Sequence, residues 1–319
     1  MGRVTDHGWT ATDLPDLAGV RAVVTGANSG LGFHTTLELA RHGALVVMGV
    51  RDEGRGADAL EQVLRQVPLA RLEVRRLDLA DLASVRAFAD STKQESLGLL
   101  VNNAGVMAIP HRLTADGFEM QFGTNHLGHF ALTGLLLPAL LAGSLRGGPA
   151  RVVTLSSLVH RRGRLDREDL MGERAYSPWR AYGQSKLANL LFLRELQRRA
   201  DAAGVPLLSV GAHPGYAATN LQLAGPRMRG SRLREGVSRL LNAVVAQPAA
   251  HGAWPTLRAA TDPEARGGDY YGPGGVAEQR GHPVRVGMSA QARDDADAAW
   301  LWERSVELTG VPFDALTPG

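Results

Sequence analysis

The chain has 319 residues, 44% hydrophobic and 21% charged, with a formal net charge of +3, a length and balance that suit one core-bearing domain with embellishments, or at most two. No dense basic stripe interleaved with aromatics is present, so nucleic-acid binding is not indicated, and the absence of cysteine excludes disulfides, thiolate metal sites and thiol nucleophiles. The first 17 residues lack a secretory-type apolar stretch, and the most apolar run, "FALTGLLLPALLAGSL", is short for a bilayer and broken by Pro138, so a cytoplasmic protein with no transmembrane segment is expected.

From about residue 20 onward, short β-branched or leucine-rich runs alternate with helix-period stretches. That rhythm predicts a parallel sheet covered by helices on both faces. The first strand is expected at 20 to 25, followed by a helix at 31 to 42. Between them "TGANSGLG" sets Gly26, Gly30 and Gly32, with Asn28, Ser29 and Leu31, where a chain must turn tightly and let its backbone approach a pyrophosphate.

The second strand, 44 to 50, ends in Val50, Arg51 and Asp52. An acid at this place holds a ribose 2′-hydroxyl, whereas a 2′-phosphate needs an arginine, so Arg51 favours NADP(H) over NAD(H). Asp52 reads as the cap of a helix at 54 to 66. A third strand at 71 to 77 leads through Asp78 and Leu79 to Asp81, the expected cap of a helix at 81 to 93. A fourth, 97 to 103, ends in Asn103, Ala104 and Gly105, and a long helix is expected at 115 to 145. Asn125, a poor helix former, lies inside it. His126 and His129 there read as packing residues, and no metal site is expected.

A fifth strand at 150 to 156 delivers Ser156 and Ser157 to the sheet edge. After the basic loop "RRGR" comes a helix at 179 to 203, and a sixth strand at 206 to 212 runs into "HPGYAAT". The stretch 214 to 246 breaks the rhythm and reads as an insertion on the substrate side, with Leu221, Leu223 and Met228 suggesting an apolar pocket. A helix at 248 to 260, a last strand in "GGDYYGP" and a helix at 289 to 308 complete the pattern. The strands are nearly continuously apolar, as expected when both faces are buried.

The chain uses 33 arginines and only two lysines, yet one of the lysines, Lys186, stands four residues after Tyr182. On a helix that spacing puts both tips on one face. A phenol with pKa near 10 is a poor proton donor and acceptor at neutral pH, and a nearby ammonium favours its anion. Arginine's broader planar fork does not replace a compact ammonium that must also bond a ribose hydroxyl.

Together the spacing T-G-x-x-x-G-x-G, "LVNNAGVM", "FGTNHLGHF", the serine pair, Y-x-x-x-K and "HPGYAAT" resemble the short-chain dehydrogenases/reductases, in particular the retinol-dehydrogenase-like branch and its bacterial relatives. The resemblance spans residues 18 to 310 and implies a single-domain α/β Rossmann fold, a doubly wound and mostly parallel sheet of about seven strands, with residues 1 to 17 as an extension and 311 to 319 as a tail.

It further implies that Ser157, Tyr182, Lys186 and Asn125 are catalytic, Asn125 through a water that relays protons to the lysine, while Ser156 is structural. Gly26, Asn28, Ser29, Gly30, Leu31, Gly32, Arg51, Asp78, Leu79, Asn103, Ala104, Gly105, Tyr182, Lys186, Pro214, Gly215 and Thr219 would bind the dinucleotide. Trp179 is a candidate substrate contact, and His160 reads as a surface residue. The expected activity is NADP(H)-dependent interconversion of a small hydrophobic carbonyl compound and its alcohol, and a homo-oligomer is compatible with it. A sugar epimerase or dehydratase shares Y-x-x-x-K but ordinarily carries T-G-x-x-G-x-x-G, and a non-enzymatic dinucleotide sensor would be expected to lose the tyrosine and lysine.

Overall fold

The computed structural model describes residues 8 to 216 and 248 to 316. Most of the 214 to 246 insertion, including Thr219, Leu221, Leu223 and Met228, therefore lies outside the described residues.

Among the described residues seven strands run parallel: β1 (Arg21–Thr25), β2 (Leu45–Val50), β3 (Arg71–Arg76), β4 (Leu99–Asn102), β6 (Gly148–Leu155), β7 (Leu207–Ala212) and β8 (Tyr270–Pro273). β3 departs from the expected apolar run: it ends the sheet, and its charged RLEVRR is at most half-buried. Two short antiparallel strands were not legible in the sequence: β5 (Ser144–Leu145), which folds back on β6, and β9 (Pro283–Arg285), which pairs with β8. The order is β3-β2-β1-β4-β6-β7-β8-β9. The chain winds outward from β1 to β3, then returns to start β4 on the other side of β1. Strand ends diverge at that reversal, and the crevice it opens is where such sheets take ligands.

The helices are α1 (Gly30–Arg41), α2 (Glu53–Gln66), α3 (Leu82–Asp90), a single turn α4 (Met120–Phe122), α5 (Gly128–Leu141), α6 (Pro178–Ala203), α7 (Ala249–Gly252), α8 (Trp254–Thr261) and α9 (Asp295–Thr309). Their ends follow local chemistry. Asp52 accepts from the Arg55 amide at 3.1 Å to start α2, and Asp81 from the Ala83 amide at 2.9 Å to start α3. Pro178 opens α6, and Gly204, at φ +64°, closes it in a left-handed conformation that other residues adopt at a cost.

The expected helix at 115 to 145 is the largest departure. Leu113 bridges to Glu119, the Glu119 carboxylate caps α4, and a π-turn over Gly123–Leu127 separates α4 from α5. The last helix begins at Asp295, later than expected, because Asp294 caps it through the Asp297 amide at 2.9 Å.

One core packs α1, α2 and α8 on one face of the sheet, and a second packs α3, α5 and α6 on the other. Leu99, Leu100 and Val101 of β4 are fully buried between them, each stabilising the fold by about 1.5–3 kcal/mol. Leu14 and Leu17 of the N-terminal stretch join the first core, while Val311, Phe313 and Leu316 join the second, where Phe313 meets Phe130 and Trp302.

Candidate active site

The glycine turn lies at the carboxyl end of β1, against the residues that follow β4. Gly26 and Gly30 have φ of +66° and +55°. A β-carbon on Gly32 would stand 2.3 Å from the Gly26 carbonyl oxygen and 2.6 Å from Asn103 Nδ2, so only glycine lets α1 start this close to the turn. Asn103 does tie the two strands together: its Nδ2 donates to the Thr25 carbonyl at 2.7 Å. Thr25 is a hub that no local sequence signal marks. Its hydroxyl accepts the amides of Asn103 and Ala104, both at 2.9 Å, and sits 2.9 Å from His129 Nε2.

Along the same edge, Ser29 is exposed, Asn28 and Leu31 are half-buried, and Arg51 is exposed at the end of β2 with no hydrogen bond or ion pair among the described residues. Asp52, its neighbour, is spent on capping α2. Asp78 turns its Oδ1 to the Ala80 amide at 3.0 Å, beside the buried Leu79. For a dinucleotide these residues fit: a side-chain-free cradle at a helix start, a free guanidinium at the ribose end, and small residues Ala104 and Gly105 between.

Three segments bring the candidate residues together at the carboxyl edge of β4 and β6: the turn after β6 with Ser157, α6 with Tyr182 and Lys186, and the π-turn with Asn125. Tyr182 and Lys186 stand one turn apart on α6, with 4% exposure each, and the ammonium lies 5.9 Å from the Tyr182 ring centre. Lys186 Nζ donates to the Leu155 carbonyl at 3.1 Å, and Asn189, another residue missed in the sequence, donates to the same oxygen at 2.9 Å. Ser156 is structural, its hydroxyl donating to the Lys186 carbonyl at 2.7 Å. Ser157 caps the short 3-10 turn Leu158–Arg162 and faces the Tyr182 hydroxyl.

Asn125 sits in the π-turn, which accounts for a poor helix former at that place. Its Oδ1 accepts the Val106 amide at 2.7 Å, and its Nδ2 donates to the Val106 carbonyl and to Ser185 Oγ, both at 2.9 Å. The side chain thus fixes the segment after Gly105 and braces α6, while its carbonyl accepts from His129 Nδ1 at 3.0 Å.

The electrostatics depart from the expected lowering of the phenol. Burial pushes Tyr182 up to about 12, and a hydrogen bond with Ser157 pulls the other way. Burial also pushes Lys186 down to about 8. Withdrawal from water disfavours both charged forms and outweighs an ammonium that stands off from the ring.

His126 and His129 are packing residues, His126 bonded to Ser305 and His129 set between Thr25 and Asn125. His160, expected on the surface, is fully buried: its Nδ1 donates to the Ser157 carbonyl at 2.7 Å, and its Nε2 accepts the Ser289 amide. Burial holds His126 near about 3 and His129 and His160 near about 4, so all three stay neutral in the fold. The unfolded chain takes up these protons as pH falls below about 6.5. Stability present above that value is therefore expected to fall between pH 6.5 and 4, by up to about 1.4 kcal/mol per pH unit for each histidine. Urea unfolding across this range checks it, and His126→Gln is expected to flatten the slope.

On the substrate side Trp179 is 54% exposed, its ring 6.1 Å from that of Tyr182. The loop before α6 is anchored by Tyr176, whose hydroxyl donates to the Ile109 carbonyl at 2.9 Å, and by Gln121, which bonds the Ala108 amide, Tyr176 and the Pro178 carbonyl. Pro214 and Gly215 follow β7, and Gly215 lies against Glu278 and Gln279. Among the described residues no cluster could hold a metal ion, and no helix is long and apolar enough to cross a membrane.

Comparison with known proteins shows the family. A family profile described as short chain dehydrogenase matches residues 21–228. Polyprenol dehydrogenase of Mus musculus is 43% identical over 302 residues, covering 93% of this chain and 86% of that protein. Retinol dehydrogenase 12 of Mus musculus is 39% identical over 311 residues, covering 96% and 92%. The crystal structure of an uncharacterized protein from Mycobacterium Paratuberculosis shares 47% identity at a TM-score of 0.79, over 96% of this chain and 99% of that one. An NAD(P) dependent gluconate 5-dehydrogenase from Beutenbergia cavernae, solved with bound NADP, shares 25% identity at a TM-score of 0.57, over 77% and 91%. The chain belongs to the short-chain dehydrogenase/reductase family of oxidoreductases, within its retinol-dehydrogenase-like group.

Proposed function

We propose that this oxidoreductase interconverts a hydrophobic carbonyl compound and its alcohol with NADP(H), working in the cytoplasm on a small-molecule substrate. The observation that carries the reading is the convergence of Ser157, Tyr182 and Lys186 at the sheet edge reached by the Gly26 to Gly32 turn. Polyprenol and retinol dehydrogenases among the relatives support an apolar substrate, and the exposed indole of Trp179 beside Tyr182 suits one.

The glycine turn, Arg51, Asp78, Asn103 to Gly105, Lys186 and Pro214 to Gly215 would hold the dinucleotide, whose nicotinamide supplies or accepts the hydride when bound. The protein's own groups handle the oxygen and its proton. Ser157 donates a hydrogen bond to the substrate oxygen and aligns it on the Tyr182 hydroxyl. Tyr182 protonates that oxygen as negative charge develops on it. At neutral pH the buried Tyr182 is a phenol and Lys186 an ammonium, the protonation states that carbonyl reduction needs. Lys186 then stabilises the phenolate left behind, and Asn125 holds the neighbouring backbone in place. In alcohol oxidation the same groups work in reverse, with Tyr182 accepting the proton.

Retinal, farnesal, decanal and 2-decanone assayed with NADPH or NADH by nicotinamide absorbance test the reading; turnover with none of them, under either cofactor, defeats it. Arg51→Ala is expected to weaken NADPH binding roughly ten- to hundredfold, the worth of a charge-assisted hydrogen bond to phosphate. NADH binding should barely change, and fluorescence titration of both cofactors reads the difference.

A further inference from the structure

We infer that Glu278 is a positioning residue for the reaction: from the β8–β9 hairpin its carboxylate joins His213 to Arg161, clamping the strand exit at Pro214 and Gly215 to the turn that carries Ser157. The inference rests on the proposed reading of the site and adds a residue from a segment with no recognised motif.

The geometry is specific. Glu278 Oε1 accepts from Arg161 at 2.6 Å and Oε2 from His213 Nε2 at 3.0 Å. The Gly215 amide donates to His213 Nδ1 at 3.2 Å, which leaves the ring proton on Nε2 and makes His213 the donor to Glu278. His213 is fully buried at the end of β7. Arg161 belongs to the turn capped by Ser157, so one carboxylate joins the end of β7 to the turn that follows β6.

Three further features tighten the clamp. The Tyr270 ring lies between His213, at 5.2 Å, and His160, at 5.7 Å, and His160 in turn holds the Ser157 carbonyl. The Tyr216 amide donates to the Gln279 carbonyl at 3.0 Å, and a β-carbon on Gly215 would lie 2.8 Å from the Glu278 carbonyl oxygen, so the hairpin tip rests on the strand exit. Finally, Ala277 and Glu278 have φ of 51° and 56°, two consecutive non-glycine residues in the left-handed region, where side chains are rarely found unless the surroundings hold them there. The His213 and Arg161 hydrogen bonds hold the Glu278 carboxyl down to about 2, so it remains ionised at working pH.

The test uses the full chain with NADPH and any panel carbonyl that the unmodified protein reduces. Glu278→Gln keeps the shape and an acceptor for His213 but removes the charge that holds Arg161. It is expected to lower kcat at least tenfold with KM and the NADPH Kd changed less than threefold, and Glu278→Asp should recover part of the loss. The pair Arg161→Met and Glu278→Gln should lose less together than the product of their separate losses. Hydrogen exchange should rise in both residues 157 to 163 and 213 to 216, although only the hairpin was altered. Unchanged kcat, a loss confined to the NADPH Kd, or faster exchange in one segment alone overturns the inference. If the unmodified protein reduces nothing in the panel, the functional reading fails, while the exchange measurements still decide whether the clamp exists.

Discussion

Tyr182→Phe is expected to lower kcat by about 10²- to 10⁴-fold, the usual worth of a positioned acid or base. The substitution removes one oxygen and leaves the ring against Trp179, so neither fold nor dinucleotide binding should change much. Ser157 retains its bond to the Val159 amide and its place in the turn. Turnover of the panel substrates beside a fluorescence titration with NADPH separates the two effects. Near-normal kcat would remove Tyr182 from the chemistry, and a parallel loss of NADPH binding would point instead to a distorted site.

Lys186→Met should lower kcat/KM by at least about 10²-fold, because the phenolate formed when Tyr182 gives up its proton then has no cation beside it. Stability should move the other way or not at all. The Leu155 carbonyl keeps its bond from Asn189, and a buried ammonium is exchanged for an apolar chain of similar length. The pH dependence identifies the group. Lys186 titrates at about 8 in the fold, against an ordinary value near 10.5. Between those values the unfolded chain binds more protons, so the stability of the unmodified protein gains from this group as pH rises through that window. Lys186→Met should lack that gain. Lys186→Arg should not restore activity, because its wider planar fork does not fit the buried place of a compact ammonium bonded to the Leu155 carbonyl. Activity retained in both variants would count against the role.

The sheet was legible because its signal is simple. Strands buried on both faces must be apolar throughout, and β1, β2, β4, β6 and β7 have the sequence to match. The turn at Gly26 to Gly32 was equally plain, since backbone crowding leaves no other residue type at Gly32. Asn125 was marked as odd, but the π-turn that explains it was not foreseen, because one extra residue in a helical run leaves the apolar period almost unchanged. His160 was misplaced for a related reason: it follows a serine pair in an arginine-rich loop, and only the approach of Ser289 and Tyr270 from the far end of the chain buries it. Thr25 opens the quoted glycine turn and Asn189 lies three residues past Lys186, yet their partners come from distant parts of the chain, so local pattern says nothing of their roles. The direction of the Tyr182 shift was missed because adjacency to a charge can be read from spacing, whereas depth of burial cannot.

The helix bearing Tyr182 and Lys186 is 26 residues long and buried at every position from Tyr182 through Leu193. A rod so hemmed in tolerates few replacements, and any tilt would disturb β7 and the last helix, both packed against it. Divergence among descendants of this protein should therefore accumulate in the exposed segments around the rod and spare its buried face.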